Sequence, residues 1–278
     1  MPLTKANAMD HCCCICRDPK NKQFYRKIDG FELLRCPQCK LIFSSTLPQS
    51  QNDFFKDSQL QENEVEYWST PNLYETHTKV FIHFFQQRLE RLKKHGIASG
   101  TILDIGTGYG FWSDYLQKQG FRVKGVEITK NVAAYARERY HLDVLNSSIE
   151  DYQSDEKFDA ICMFDVLEHL ERPDKILFKL KSMLKPNGLI YIQVPNVIGL
   201  KYPYGHSLGL PYHIWQFDPK SLKSLCTQNA LKPLEYWTGI QGVIGAYERN
   251  EVDFIKKALW DIANFLKIGN RVQLICKE

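Results

Sequence analysis

No run in this 278-residue chain approaches the roughly 18 consecutive apolar residues that a membrane-spanning helix needs. The opening MPLTKANAMDH has no apolar stretch of the secretory-signal kind, so the expectation is a cytoplasmic protein whose thiols stay reduced. Internal repeats and low-complexity tracts are also missing. Neither sign of charge dominates: the net charge of +4 is too small to argue for nucleic acid by itself. What is present fits an ordinary folded protein. The apolar fraction of 44% and charged fraction of 24% exclude global disorder. The length allows a main domain plus an appendage.

Cysteine is the exception to this even composition. Six of the nine lie between Cys12 and Cys39, in HCCCICRDPK and RCPQCK. Cys13-x2-Cys16 and Cys36-x2-Cys39 form two pairs separated by 19 residues. A reducing compartment argues against disulfides. CPQC resembles a redox motif, but no thioredoxin-like βαβ unit surrounds it. Haem attachment through C-x-x-C-H fails, because Arg17 and Lys40 follow the pairs. Two paired thiolates suit a closed, structural Zn²⁺ site made by Cys13, Cys16, Cys36 and Cys39, with Cys14 able to replace Cys13. Between the pairs, Asp29-Gly30 predicts a hairpin turn that carries the second pair towards the first. Cys12 is surplus, and Cys162, Cys226 and Cys276 read as buried thiols. Seven Lys/Arg against three acids between Cys12 and Pro48 make this segment basic, which reads either as an anion-facing surface or as a solvated one.

The rest of the chain divides by pattern. Residues 1–48 form the cysteine module, with Pro48 and the polar QSQND as its boundary, and residues 49–95 a helical connector. In the connector Val80, Phe81, Phe84, Phe85, Arg88, Leu89 and Leu92 repeat at helical spacing, predicting a helix over about Tyr74–Lys94. Residues 96–278 alternate strand and helix, which predicts an α/β domain with a mostly parallel sheet. Strands are expected at Thr101–Ile105, Phe121–Glu127, Asp143–Asn146, Phe158–Phe164, Leu189–Val194, Leu231–Trp237 and Arg271–Cys276. Helices are expected at Phe111–Gln119, Asn131–Tyr140, Asp174–Leu184 and Pro219–Gln228. The fold class is therefore α/β: a Rossmann-like, seven-stranded, mostly parallel sheet with helices on both faces, plus a small N-terminal zinc-binding module.

Chemistry enters at TILDIGTGYGFW, where a buried strand ends and Gly106, Gly108 and Gly110 precede a helix. Such glycines let the backbone turn sharply and approach a ligand at the helix N-terminus. The dinucleotide pattern G-x-G-x-x-G fails at its third glycine, where Phe111 stands. Glu127, at the end of the next strand, is placed to accept hydrogen bonds from both ribose hydroxyls of an adenosine. With NSSIEDY, FDAICMFDVLEHLERPDK and LKPNGLIYIQVPN following in order, residues 101–195 resemble the class I S-adenosylmethionine-dependent methyltransferases. The likeness is greatest to the branch with ubiquinone-biosynthesis O-methyltransferases and sugar methyltransferases.

That resemblance implies S-adenosylmethionine as cofactor and assigns roles by position. Asp104, Gly106, Thr107 and Gly108 line its methionine and ribose side; Glu127 holds the ribose. Ile128, Ser148 and Ile149 flank adenine, and Asp165 lies near the methionyl amine. Glu168 and His169 are placed near the acceptor. His213 is favoured as the proton acceptor, because a His precedes a short aromatic-Asp-Pro helix start at this point in related families. His213 lies in a loop-like stretch that also carries Tyr202, Tyr204, His206, Tyr212 and Trp215. Several sugar and small-metabolite methyltransferases similarly begin with a cysteine-paired module, here ending CPQCKLIFSSTLP. The expected partner is a small molecule, a sugar, sugar nucleotide or other metabolite. The alternatives are a methyltransferase that holds RNA or protein through the basic module, and a non-catalytic cofactor-binding protein. An amphipathic helix over Glu251–Ile268, with Val252, Ile255, Leu259, Ile262 and Leu266 on one face and Phe254, Trp260 and Phe265 beyond it, reads first as core packing. Its sharper readings are a homodimer face or a membrane-surface contact.

Overall fold

The computed structural model describes residues 12–45 (19, 21 and 29 apart), 70–199, 209–239 (211 apart) and 258–278 (259, 260 and 264 apart). The expected boundary at Pro48, the turn residue Asp29, Tyr202, Tyr204, His206 and most of the 251–268 helix lie outside the described residues. Among the described residues no helix is long and apolar enough to cross a membrane.

The cysteine module contains a hairpin of β1 (Gln23–Ile28) and β2 (Phe31–Arg35), followed by β3 (Ile42–Ser44). Gly30, at φ 85°, takes the left-handed turn conformation that the Asp-Gly sequence predicts. Helices α1 (Pro71–Thr76) and α2 (Thr78–Lys94) come next, where the sequence spacing predicts one helix. His77 stands between them in a non-helical conformation, and Pro71 with a Thr70 side-chain cap starts the first.

Seven strands then build the main sheet: β4 (Thr101–Ile105), β5 (Arg122–Glu127), β6 (Asp143–Asn146), β7 (Phe158–Phe164), β8 (Leu184–Pro195), β10 (Lys232–Gly239) and β11 (Arg271–Lys277). Their order is β6-β5-β4-β7-β8-β11-β10, with β11 antiparallel to both neighbours and the rest parallel. Strand β4 is buried at every residue, as a central parallel strand covered on both faces must be. The KPNG turn expected before the fifth strand is absorbed into β8, whose register against β7 shifts between Leu184 and Leu189, with Asn187 at φ 65°.

Helices α3 (Phe111–Lys118), α4 (Lys130–Tyr140), α5 (Pro173–Ser182) and α6 (Pro219–Gln228) complete the layers. Alternation along the strands divides the core in two. Ile102, Ala160, Cys162 and Tyr191 face α2 and α3. Leu103, Ile161, Met163 and Ile190 face α5 and α6, and the module's Cys13, Cys36, Leu41 and Phe43 pack in that same cluster. A two-residue strand that the sequence pattern does not signal, β9 (Trp215–Gln216), pairs with β3, so the module's sheet includes a segment of the main domain. At the far end Ala263 is buried, whereas Ile262, Phe265 and Leu266 are exposed. The described members of the expected apolar stripe therefore face away from the core.

Candidate functional site

Strand order reverses between β4 and β7, and in open α/β sheets the carboxyl ends at such a point form a crevice. Beyond β4 the chain turns through Gly106 (φ 71°) and Gly110 (φ 89°), which N-caps α3. Both conformations favour glycine, and neither position has room for a side chain. A Cβ on Gly106 would collide with Val166, and one on Gly110 would sit 2.6 Å from Leu142. Glu127 lies under this turn. Its Oε2 accepts from the Gly108 amide and its Oε1 from the Thr129 amide, both at 2.9 Å. Burial pushes its pKa up, opposed by those amides.

The other residues expected on the cofactor side gather round this turn. Asp104 is buried beneath it, accepting from Ser113 at 2.6 Å, and burial raises its pKa to about 7. Thr107 ties the turn to the Asp104 carbonyl through its hydroxyl at 2.8 Å. Ile128 is half-buried beside Glu127. Ser148 caps the turn into Asp151, bonding its carboxylate at 2.9 Å, and Ile149 is buried.

Asp165 directly follows β7 in a left-handed conformation, φ 56°, a strained one for a non-glycine residue. Gln193 donates to its Oδ2 at 2.8 Å and Arg271 pairs with its Oδ1 at 2.9 Å. Arg88, from α2, donates to Gln193 at 3.2 Å and lies 3.8 Å over the Phe164 ring. Sequence reasoning missed Arg271 and Gln193. It placed Arg88 only in the helical repeat; a charge at an apolar position of an amphipathic helix was the available signal.

Next to Asp165, Glu168, His169 and His213 bring ligand-capable atoms within 4.8 Å of one another. The two imidazoles meet edge to face with centroids 4.7 Å apart, and His169 Nε2 is 4.0 Å from Glu168 Oε1. His169 Nδ1 lies 3.1 Å from the Tyr212 carbonyl, which fixes Nδ1 as the protonated nitrogen of a neutral ring. Burial lowers its pKa to about 4. Glu168 is 1% exposed, and among the described residues neither carboxylate oxygen has a hydrogen-bond partner. Burial, then the Asp165 charge, pushes its pKa well up. A buried acid whose pKa is pushed up so close to two imidazoles is equipped for proton transfer.

The cysteine cluster lies in the module. Sulfurs of Cys13, Cys16, Cys36 and Cys39 all lie within 4.8 Å of one another, while Cys14 is buried elsewhere in the core. Cys13–Cys39 is 3.3 Å and Cys16–Cys36 is 3.7 Å, far too long for disulfides and near the ~3.8 Å edge of a tetrahedron of zinc–sulfur bonds. The two pairs share one loop geometry. Arg17 N bonds the Cys13 carbonyl at 2.8 Å and Lys40 N the Cys36 carbonyl at 2.9 Å. Arg17 and Lys40 are both left-handed. The Cys39 thiol draws Cys13 down to about 6, whereas burial lifts Cys16 to about 11. A cation would let all four ionise. The donor set, spacing and burial fit a four-sulfur zinc site.

A glycine turn with no room for side chains, an acid held by backbone amides and a strand-order reversal at one edge define an open α/β protein with a nucleoside-cofactor crevice. The family model described as a methyltransferase domain matches residues 74–236, and the chain belongs to that family. It is an S-adenosylmethionine-dependent methyltransferase. Among curated relatives, a ubiquinone biosynthesis O-methyltransferase of Rickettsia felis is 26% identical over 207 residues, covering 68% of this chain and 82% of that protein. Solved structures share the fold. An S-adenosylmethionine-dependent methyltransferase from Archaeoglobus fulgidus superposes with TM-score 0.53 and 20% identity, over 70% of this chain and 94% of the other. Magnesium protoporphyrin IX methyltransferase of Synechocystis, with bound S-adenosylhomocysteine, gives TM-score 0.53 and 13% identity, over 82% and 97%.

Proposed function

We propose that this protein methylates an oxygen of a small-molecule acceptor, a sugar, sugar nucleotide or other hydroxylated metabolite. The observation that carries the reading is the trio of Glu168 and His169, which follow β7 beside β4 and its glycine turn, and His213, whose ring lies against His169. Oxygen as the acceptor atom takes support from the relatives named as O-methyltransferases. When bound, S-adenosylmethionine supplies an activated sulfonium methyl, leaving as S-adenosylhomocysteine. Glu127 would hold its ribose, the turn at Gly106–Gly108 its backbone-facing side, and Ile128, Ser148 and Ile149 its base. Asp165, fixed by Arg271 and Gln193, would face its amine.

The remaining task falls to the acceptor proton, which must leave as the oxygen is alkylated. His213 would take it. His169, its Nδ1 committed to the Tyr212 carbonyl, and the buried Glu168 would orient the hydroxyl. Cys13, Cys16, Cys36 and Cys39 would bind zinc as a structural ion with no open position. The test is a cell-extract metabolite screen with methyl-labelled cofactor. A labelled ether in a small metabolite is expected; label confined to RNA or protein would overturn the reading.

A second reading has one observation behind it. The hairpin exposes Phe24 and Tyr25, with Arg26 and Arg35 guanidinium groups 5.7 and 5.8 Å from the Tyr25 ring. A basic aromatic face of this kind suits a nucleic-acid strand, and its use predicts binding that weakens steeply with salt.

A further inference from the structure

The cysteine module and the acceptor-side residues are far apart in sequence, yet a single residue, Ile214, joins them. Ser44, at the end of β3, donates its amide to the Ile214 carbonyl at 2.9 Å. The Ile214 amide donates to the Glu168 carbonyl, also at 2.9 Å. On either side of Ile214 stand His213, against the His169 ring, and Trp215, whose indole bonds the Leu170 carbonyl at 2.7 Å. Phe43 packs on Trp215 with ring centroids 5.5 Å apart, and the register pairs Phe43 with Trp215 and Ile42 with Gln216.

A two-residue strand has little stability of its own; strands of this length persist because a partner sheet holds them. Here that sheet is the module's, ordered β1-β2-β3-β9. The module in turn is fixed to the main domain away from the site. Arg17 reaches Asn229, after α6, at 3.1 Å and Asp174, in the first turn of α5, at 3.3 Å. The cysteine loops therefore have one anchor on the helices and one on the segment that carries His213.

We infer that the cysteine module is the positioning frame of the acceptor side: by pairing β3 with β9 it sets His213 against Glu168 and His169. This rests on the reading of those three residues as the acceptor side. The glycine turn and Glu127 are held by β4–β5 instead. Loosening the module should therefore disorganise one half of the site and spare the other.

The full chain is compared with its Phe43→Ala variant by amide hydrogen exchange, by S-adenosylhomocysteine titration and by histidine imidazole NMR. Exchange across residues 212–217 should rise about 10-fold or more in the variant, with the His213 and His169 signals moved. Protection of residues 101–110 and affinity for S-adenosylhomocysteine should stay within about 2-fold. Unchanged exchange across 212–217 overturns the proposal, and so does equal loosening of both segments, which would make Phe43 a general core residue. Should Phe43→Ala not fold, Phe43→Leu gives a smaller change that must still be confined to 212–217. Chelating metal from the wild type is expected to reproduce the Phe43→Ala pattern. Protein that carries less than about half an equivalent of zinc as purified sinks the zinc reading, while the Phe43 variants still decide the frame. Unchanged turnover in His213→Ala sinks the acceptor reading without altering what exchange reports.

Discussion

The two halves of the crevice are built on opposite plans. On the cofactor side, the turn after β4 and the end of β5 hold each other through backbone amides, and both oxygens of Glu127 are satisfied inside one strand–turn–strand unit. On the proposed acceptor side, neither Glu168 oxygen has a hydrogen-bond partner among the described residues, and its neighbours arrive from segments spread between β3 and β11. The first half is preorganised by local geometry. The second depends on long-range pairing and keeps a buried acid that costs stability until something else bonds it. The proposed roles fit that division: loops carried on a rigid scaffold are where specificity is adjusted.

Substitutions that separate the halves give the largest effects. His213→Ala should lower turnover by about 100-fold or more, the usual worth of a positioned proton acceptor, with S-adenosylhomocysteine affinity unchanged by calorimetry. A parallel loss of affinity would show that the halves are not independent. Glu127→Ala should act in the other direction. It removes the acceptor of two amides and of the ribose hydroxyls, weakening S-adenosylhomocysteine binding by about 100-fold. Hydrogen-exchange protection across residues 212–217 should stay as in the wild type. Loss of that protection would mean the cofactor side supports the acceptor side after all.

The same contrast explains what the sequence discloses. Every strand of the main sheet and most of its helices are legible, because buried parallel strands and amphipathic helices carry their burial as local periodicity. The glycine turn is legible for a similar reason, since φ 71° at Gly106 and φ 89° at Gly110 leave a compositional trace. Strand β9 is not legible. Trp215–Gln216 has no periodicity to read, and its strand character comes from Ile42 and Phe43, more than a hundred residues away. The Arg271–Asp165 pair joins the start of β11 to the residue after β7, a pairing no local pattern announces. Of Cys13 and Cys14, spacing permits either in the cluster; the fold brings in Cys13 and buries Cys14.

The smallest effect, and the sharpest on the two plans, is in the pH dependence of stability without cofactor. Burial raises Asp104, on the cofactor side, to about 7 from an ordinary 3.8. Its folded form therefore binds more proton than its unfolded form between those values, and its share of stability is lost as pH rises towards 7. Burial lowers His169, on the acceptor side, from 6.5 to about 4. Its folded form binds less proton in that window, so its share is present above 6.5 and lost as pH falls through 4. Between pH 4 and 6.5 the two contributions, each on the order of 3 kcal/mol, oppose one another. Urea unfolding across pH 4.5–8 tests this. Asp104→Asn should leave a protein whose stability climbs more steeply with pH than the wild type up to about 6.5, and His169→Gln one whose stability declines towards 7. Equal slopes in the two variants would mean that neither burial holds its group as described, and that the two halves respond to protons alike.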